Sequence, residues 1–512
     1  MNANKITYPQ NDRWSYLWLL IATALGIFSL SVGKWIIPIT AWLGGIFMIR
    51  FFRTQKRVWL AYLLAGISTA VVTAVAMPSF MSSLAIPVIV GAAILSGLPL
   101  VADRLLAPRL PGFASTLVFP LAMTALEYIN VATNPLGSTG ASAYSQFDNL
   151  VLLQLVSLTG MWGISFLMSW LATVVNWAWE REFAWPVIKR GTLIYLGVML
   201  LVVAYGQVRL WFAQPPADTV RVAGFTLVEW RAKQPEMNQA FATDIEAFRQ
   251  MMEERYQLYF DATVREARAG AKIILWPENS ATVAKDDEPA LLARAQDVAK
   301  QEGIYLALPM IVQPRDDSPY ANKLVVFDPQ GQMVLEHYKY GGVGFEGNRI
   351  NGDGVLHTAQ TPFGVISGVI CWDTDFPAAV LQSGRNGTDI LLSPSLEFRE
   401  YDPIHAHMAV MRAIENGVSV VRVADMGLSV VVDPYGRILA ATDHFTAGER
   451  TIIAQVPTKG VWTLYPIIGD LFAWLSIVGF VGMTVWAVIR TRGTARRLVA
   501  NPGWASTDKS MP

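Results

Sequence analysis

Long apolar runs separated by short polar loops fill the first 212 positions of the chain, and then the pattern changes. Runs of spanning length, roughly 18–22 residues, lie near 14–33, 35–52, 58–77, 82–102, 111–130, 150–178 and 188–212, with another near 465–489. They predict a transmembrane helical domain over 1–212 with about seven spans and a C-terminal transmembrane helix over 463–491, about eight in all. The first two runs are so closely spaced that they also fit one re-entrant hairpin. The opening "MNANKITYPQNDR" has no small-residue cleavage site after a short apolar core, so the first run reads as a retained span.

From "TVRVAGFTLV" onward short β-branched runs alternate with helix-period segments. "AKIILWPE", "IYLALPMIV", "KLVVFDPQGQMVLEHYK", "GVISGVIC", "DILLSPS", "VSVVRVAD", "LSVVVDPYGRILAAT" and "RTIIAQV" read as strands. "DPQGQ" and "DPYGR" read as tight turns between antiparallel strands. The helical segments are the long "PEMNQAFATDIEAFRQMMEERYQLYFDATVREARAG", then "EPALLARAQDVAKQEG" and "IHAHMAVMRAIENG". Strands flanked by helices predict an α/β layered domain over 219–458, about 240 residues.

Composition agrees with this division. Hydrophobic residues make up 53% and charged residues 16%, and the mean hydropathy of +0.35 lies on the membrane side of a soluble protein. Charge is sparse up to about 212, dense over 219–458, and sparse again until a basic tail at 492–512. Forty basic residues balance forty acidic ones, which argues against a nucleic-acid partner. Basic residues fall in "RFFRTQKR" (Arg50, Arg53, Lys56, Arg57), "DRLLAPR" (Arg104, Arg109), "WEREFAWPVIKR" (Arg181, Lys189, Arg190) and the tail. The intervening loops "MPSFMSS" and "NPLGSTGASAYSQFDN" carry none. With the N-terminus inside, every basic loop and the tail are cytoplasmic, and the 219–458 domain is extracytoplasmic.

The chain has one cysteine, Cys371, in "GVISGVICWDTDFP". It excludes an internal disulfide framework and a multi-cysteine metal site. Cys371 ends one predicted strand, Glu278 ends "KIILW" after Trp276-Pro277, and Lys339 ends "MVLEHYKY" ahead of "GGVGFEGN", which carries Glu346. Each alone reads as an ordinary core or surface residue; together they describe a chemistry. A carboxylate can take the thiol proton and free a thiolate to attack a carbonyl carbon. An ammonium, with the backbone N–H after the nucleophile, stabilises the oxyanion. The product is a thioester acyl-enzyme, resolved by water or by an amine. The pair His405 and His407 in "HAH" points to different helix faces, without an evident third ligand, so no metal is expected. Arg412 and Glu415 read as a structural i, i+3 ion pair. The sequence carries no phosphate-binding glycine loop or dinucleotide fingerprint, and no cofactor is expected.

"ILWPENS", "YK…FEG", "CWD..FP" and "MRAIENGVSVVR" together resemble the nitrilase (carbon–nitrogen hydrolase) superfamily. The resemblance implies an αββα sandwich with Glu278 as general base, Lys339 as oxyanion stabiliser, Cys371 as nucleophile and Glu346 as accessory glutamate. It places the N–H of Trp372 in the oxyanion hole, with Asp373 beside it. Trp230 in "LVEWRAK" matches a substrate-side tryptophan only loosely and otherwise reads as a core residue. Spans, external domain and final span resemble the apolipoprotein N-acyltransferase family of the bacterial inner membrane, as do "ALEYIN", "YSQFDN" and "LVSLTGMWGISFL". That family implies acyl transfer from a phospholipid to the N-terminal amine of a lipoprotein diacylglyceryl-cysteine. Three departures keep a second reading open, a membrane-tethered amidase acting on a small external amide. Ile129-Asn130 stand where the family has Arg-Gly, Trp372-Asp373 where it has Tyr-Glu, and the segment from Lys339 to Cys371 is short.

Overall fold

The apolar runs of the first half fold as helices because a chain in hydrocarbon must satisfy its own backbone hydrogen bonds. The computed structural model describes residues 12–30, 35–77, 85–342, 346–399, 402–446 and 450–500, with Ala85, Arg231 and 493–500 described by backbone alone. The first eleven residues, most of "MPSFMSS", 343–345 of the glycine-rich turn and the tail beyond 500 lie outside the described residues. The helices are α1 (Ser15–Ile27), α2 (Pro38–Thr54), α3 (Val58–Ala76), α4 (Ala85–Leu106), α5 (Val118–Thr133), the short α6 (Leu150–Leu153) and α7 (Val156–Thr159), α8 (Trp162–Trp179) and α9 (Trp185–Trp211).

Among the described residues five helices are long and apolar enough to cross a membrane. They are Val58–Ala76, Ile86–Arg109, Gly112–Thr133, Trp185–Trp211 and Leu471–Arg492; a sixth follows if the pair Leu150–Thr159 and Trp162–Trp179, bent by 115°, counts as one span. The expected eight are therefore not reached. The helix Ser15–Ile27 has 13 residues, about 20 Å at 1.5 Å per residue, short of a hydrocarbon core of about 30 Å. The helix Pro38–Thr54 has 17, and its last turns carry buried Arg50 and Arg53. Large apolar side chains on α9, Leu196, Leu200 and Leu201 among them, stand exposed on its outer surface, as a lipid-facing helix requires.

Charges gather at one end of this bundle. The Arg53 guanidinium lies 2.7 Å from Asp103 and 2.9 Å from Glu180, all three buried. Arg50 lies over the Trp179 ring, and Arg104 donates to the carbonyl of Gln55. The C-termini of α2, α4 and α8 thus meet there, together with the loops in which the basic residues concentrate.

The second half forms two sheets. The first runs β13 (Arg450–Pro457), β1 (Thr219–Thr226), β2 (Ile273–Leu275), β4 (Tyr305–Gln313), β5 (Ala321–Phe327), β6 (Met333–Tyr338), with β3 (Ala281–Ala284) also beside β4. The second runs β12 (Ile438–Asp443), β11 (Leu428–Val432), β10 (Ser419–Asp425), β9 (Ile390–Leu396), β8 (Gly364–Gly368), β7 (Thr358–Thr361). Strands β9 and β10 are near-continuous apolar runs, buried almost throughout, because both faces of their sheet are covered. Between the sheets pack Val222, Ile273 and Leu275 from one side with Ile390, Leu392 and Val421 from the other.

The outer face of the first sheet is covered by α10 (Gln234–Thr243), α11 (Ile245–Arg268) and α12 (Glu288–Glu302). The long predicted helix is broken between α10 and α11, where the Asp244 side chain accepts from Ala247 N at 3.1 Å and starts a new helix. The outer face of the second sheet is covered by α13 (Pro377–Arg385) and α14 (Asp402–Asn416). Two sheets between two helix layers make the expected αββα sandwich. The core under α14 continues without a break into the bundle: Leu391, Val420, Met408 and Met411 share one apolar cluster with Trp162 and Leu167 of α8. The short α15 (Tyr465–Ile468) leads into α16 (Leu471–Ala500), which returns along the bundle.

Candidate active site

Strands β2 and β4 are parallel, and the antiparallel pairs β4–β5 and β5–β6 make β6 run the same way. In the other sheet β8, β9 and β10 are parallel. The C-terminal ends of such strands are where an α/β sheet opens to a ligand. Glu278 follows β2, Lys339 follows β6, and Cys371 follows β8. Pro277 stops the pairing of β2, so the chain turns there and delivers the Glu278 carboxylate inward.

The three side chains are buried. Lys339 Nζ donates to Glu278 Oε1 at 2.8 Å and to Glu346 Oε1 at 2.5 Å. Asn322 Nδ2 also donates to Glu278 Oε1, at 2.7 Å, and Leu396 N donates to Glu278 Oε2 at 2.9 Å. The Cys371 thiol donates to the carbonyl of the same Leu396 at 3.4 Å. Thiol and carboxylate therefore flank one residue at the end of β9. Cys371 has φ +46°, a left-handed backbone that costs a non-glycine residue free energy and marks functional turns.

Burial pushes the Cys371 thiol up to about 12, reinforced by Glu278 and Glu397 and opposed by Lys339. Burial works against the Lys339 ammonium, yet Glu278, Cys371 and Glu346 hold it well above the ordinary lysine value. The resting site is thus a protonated thiol beside a firmly charged ammonium. Burial raises the Glu346 carboxyl, partly offset by Lys339; Arg349 Nε completes its shell at 3.2 Å from Oε2.

The remaining expected residues are spread around this centre. Asp373 clamps together the turns that carry Lys339 and Cys371. It accepts from Ile370 N at 2.8 Å, Tyr340 N at 2.8 Å and Gly341 N at 2.6 Å, and His337 Nε2 donates to it at 2.8 Å. Burial alone would raise its pKa, but His337 and these N–H groups hold it below the usual carboxylate range. The turns approach so closely that a Cβ at Gly341 would lie 2.8 Å from the Trp372 carbonyl, so glycine is required there. Trp372 is half-buried and packs against Met77 and Leu136 of the helical half. Trp230 is buried in the apolar cluster over the first sheet, with Lys233 Nζ 4.3 Å from its ring centre.

A second buried cluster, not foreseen from sequence, lies behind the thiol. Glu397 Oε1 is 3.9 Å from Cys371 Sγ and pairs with the Arg422 guanidinium. His405 Nδ1 lies 2.8 Å from Glu397, and its Nε2 3.1 Å from Asp375. Burial works against the imidazolium, yet Asp375 and Glu397 hold its pKa well above the ordinary value; His405 and Arg422 in turn keep Glu397 low against its burial. Sulfur, carboxylate and imidazole come within 4.8 Å of one another here, so the fold supplies neighbours that the sequence did not offer His405. Their charges are already matched by Arg422 and Asp375. His407 points elsewhere and stacks on Phe147 at 3.8 Å. The available signal was Arg422, a cation inside an otherwise apolar strand, which demands a buried anion.

The arrangement suits covalent acyl chemistry on a thiol. Residues 233–463 match the family model described as carbon-nitrogen hydrolase, so a carbon–nitrogen hydrolase domain holds the site. Residues 16–174 match the apolipoprotein N-acyltransferase N-terminal domain. The chain belongs to the apolipoprotein N-acyltransferase family within the nitrilase superfamily. Among its relatives, an apolipoprotein N-acyltransferase of Geobacter metallireducens is 26% identical over 400 residues, covering 72% of this chain and 73% of that one. One from Rickettsia prowazekii is 24% identical over 319 residues, covering 56% of this chain and 60% of that one. Among solved structures, an amidase from Nesterenkonia sp. aligns with 48% of this chain and 94% of its own, at 18% identity and TM-score 0.38.

Proposed function

We propose that this protein is a membrane acyltransferase that moves a fatty acyl chain from a phospholipid to the N-terminal amine of a lipoprotein diacylglyceryl-cysteine. Glu278 takes the Cys371 proton, and the thiolate attacks the ester carbonyl carbon. Lys339 and the N–H of Trp372 stabilise the oxyanion. The lysophospholipid leaves with the proton from Glu278, and the acceptor amine then displaces the thiol from the thioester. Glu346 holds Lys339 in place. No metal or cofactor takes part in this scheme.

One observation carries this reading over a small-amide hydrolase: the residue after the nucleophile packs against the helical half. Trp372 meets Met77 and Leu136. Leu136 also lines a largely apolar groove of about 340 Å³ between α3, α4 and α5, with Met77, Val88, Leu95 and Leu126. In this reading an acyl chain lies in that groove with its carboxyl end toward Trp372 and the thiol. We place the protein in the bacterial cytoplasmic membrane, with the 219–458 domain extracytoplasmic and the tail cytoplasmic. The clustering of Arg50, Arg53 and Arg104 at one bundle end supports that orientation.

The test is the fate of the acyl group. Purified full chain in phosphatidylethanolamine vesicles is given a fluorescent diacylglyceryl-cysteinyl peptide, and the products are read by mass spectrometry. N-acylated peptide with an equal amount of lysophospholipid is expected; free fatty acid as the main product, with the peptide unchanged, would overturn the transferase in favour of a hydrolase.

A further inference from the structure

A line of hydrogen bonds runs from the helical half of the molecule to the back of the thiol. The loop after α5 meets the turn that follows Cys371: Ser138 N donates to the Asp375 carbonyl at 2.7 Å, and Thr139 Oγ1 donates to Asp375 Oδ2 at 2.6 Å. A Cβ at Gly137 would lie 2.5 Å from that same carbonyl, so the loop fits there only because Gly137, at φ +59°, has none. Asp375 is fully buried and faces His405 Nε2, whose other nitrogen faces Glu397. Glu397, anchored by Arg422, is 3.9 Å from Cys371 Sγ. The same loop lines the apolar groove through Asn134, Leu136, Thr139 and Gly140. None of these bonds is needed by the scheme in which Glu278 and Lys339 act directly on the thiol.

We propose that Thr139, Asp375 and His405 are positioning residues that tie the outer loop of the membrane helices to the Cys371 thiol, setting its reactivity in register with the lipid groove. The inference rests on Cys371 being the reactive group. The groove wall and the nucleophile's support share one side chain, Thr139. A shift of the loop moves Asp375, Asp375 carries His405, and His405 carries the carboxylate beside the sulfur. His405 is also the cation behind the thiol, so its orientation governs how readily the thiolate forms.

The experiment measures iodoacetamide labelling of Cys371 by intact mass, on the full chain in detergent, so no acyl transfer is required for a readout. Acyl-adduct formation from saturating phosphatidylethanolamine is followed alongside. Thr139→Val removes the hydroxyl and should slow labelling about three- to tenfold, the scale of one ordinary hydrogen bond. Thr139→Ser keeps the hydroxyl and should label within about twofold of the parent. His405→Gln keeps hydrogen bonding but not charge and should cost labelling about tenfold or more. The adduct rate should fall in the same order, and for His405→Gln, a residue that does not line the groove, the half-saturating lipid concentration should stay unchanged. If Thr139→Val and His405→Gln both label at the parent rate, or if Thr139→Ser is as slow as Thr139→Val, the proposal is wrong. Should His405→Gln fail to fold, the Thr139 pair decides alone. Normal labelling differences with no acyl adduct anywhere would instead refute the acyltransferase reading and leave the positioning line standing.

Discussion

Cys371 stands in a buried pocket that suppresses its ionisation. Burial and the neighbouring Glu278 and Glu397 raise the thiol to about 12, so at neutral pH it carries its proton. Below that value the thiolate fraction rises tenfold per pH unit, and labelling follows the thiolate. Iodoacetamide labelling of the resting enzyme should therefore climb by about one logarithm per unit from pH 7 to 10. A plateau below pH 8 would mean that Lys339 and His405 outweigh burial, and that the nucleophile is preformed as a thiolate. The left-handed φ of Cys371 and the Asp373 clamp aim the sulfur at the end of β9; no single residue type could have signalled that clamp. Asp373, expected beside the oxyanion-hole N–H, accepts from the backbone N–H groups of Ile370, Tyr340 and Gly341.

At the scale of elements, α14 joins the two halves. Its Arg412 and Glu415 pair at 2.9 Å as the i, i+3 spacing foretold, wholly buried. The sequence could not show that Arg412 also donates to Tyr144, or that Glu415 accepts from Met161 N, both of the helical half. Burial pushes the Glu415 carboxyl up to about 7, so it tolerates neutrality, whereas Arg412 does not. Glu415→Gln should lower stability by about 3–5 kcal/mol, the cost of stranding the buried Arg412 charge, and Arg412→Met by clearly less, because the Glu415 left behind can take up a proton. Thermal unfolding in detergent checks this; equal losses would mean the pair acts only as a couple. Strands and helices of the second half were legible because periodicity records burial directly. Two kinds of feature were not. The polar, largely exposed β7 and the four-residue β3 are too short to leave a pattern, and the break at Asp244 looked like continuous helix because both pieces keep the same period. Glu278, Lys339 and Cys371 were legible as chemistry-bearing residues at three strand ends, whereas Glu397, Asp375 and Arg422 become neighbours only when β9, β10 and the Cys371 turn are assembled.

For the whole molecule, helix count was the least legible quantity: a run of apolar residues does not reveal where a helix stops, and the first two runs end in helices too short to qualify. Sidedness rests on charge. A reporter active only outside the cytoplasm, inserted in the exposed turn at Gln330 between β5 and β6, should be active; a signal only from a cytoplasmic reporter at that position would invert the orientation. The central claim is that membrane lipid is drawn onto a single sulfur. Its most direct test is the intact mass of purified protein after incubation with phosphatidylethanolamine vesicles, beside Cys371→Ala shown to be folded by its unfolding temperature. A mass increase of one fatty acyl group, mapped to Cys371 and absent from Cys371→Ala, is the predicted result. No acyl adduct on the parent protein, with or without acceptor peptide, while lipid-derived products still form, would contradict the account.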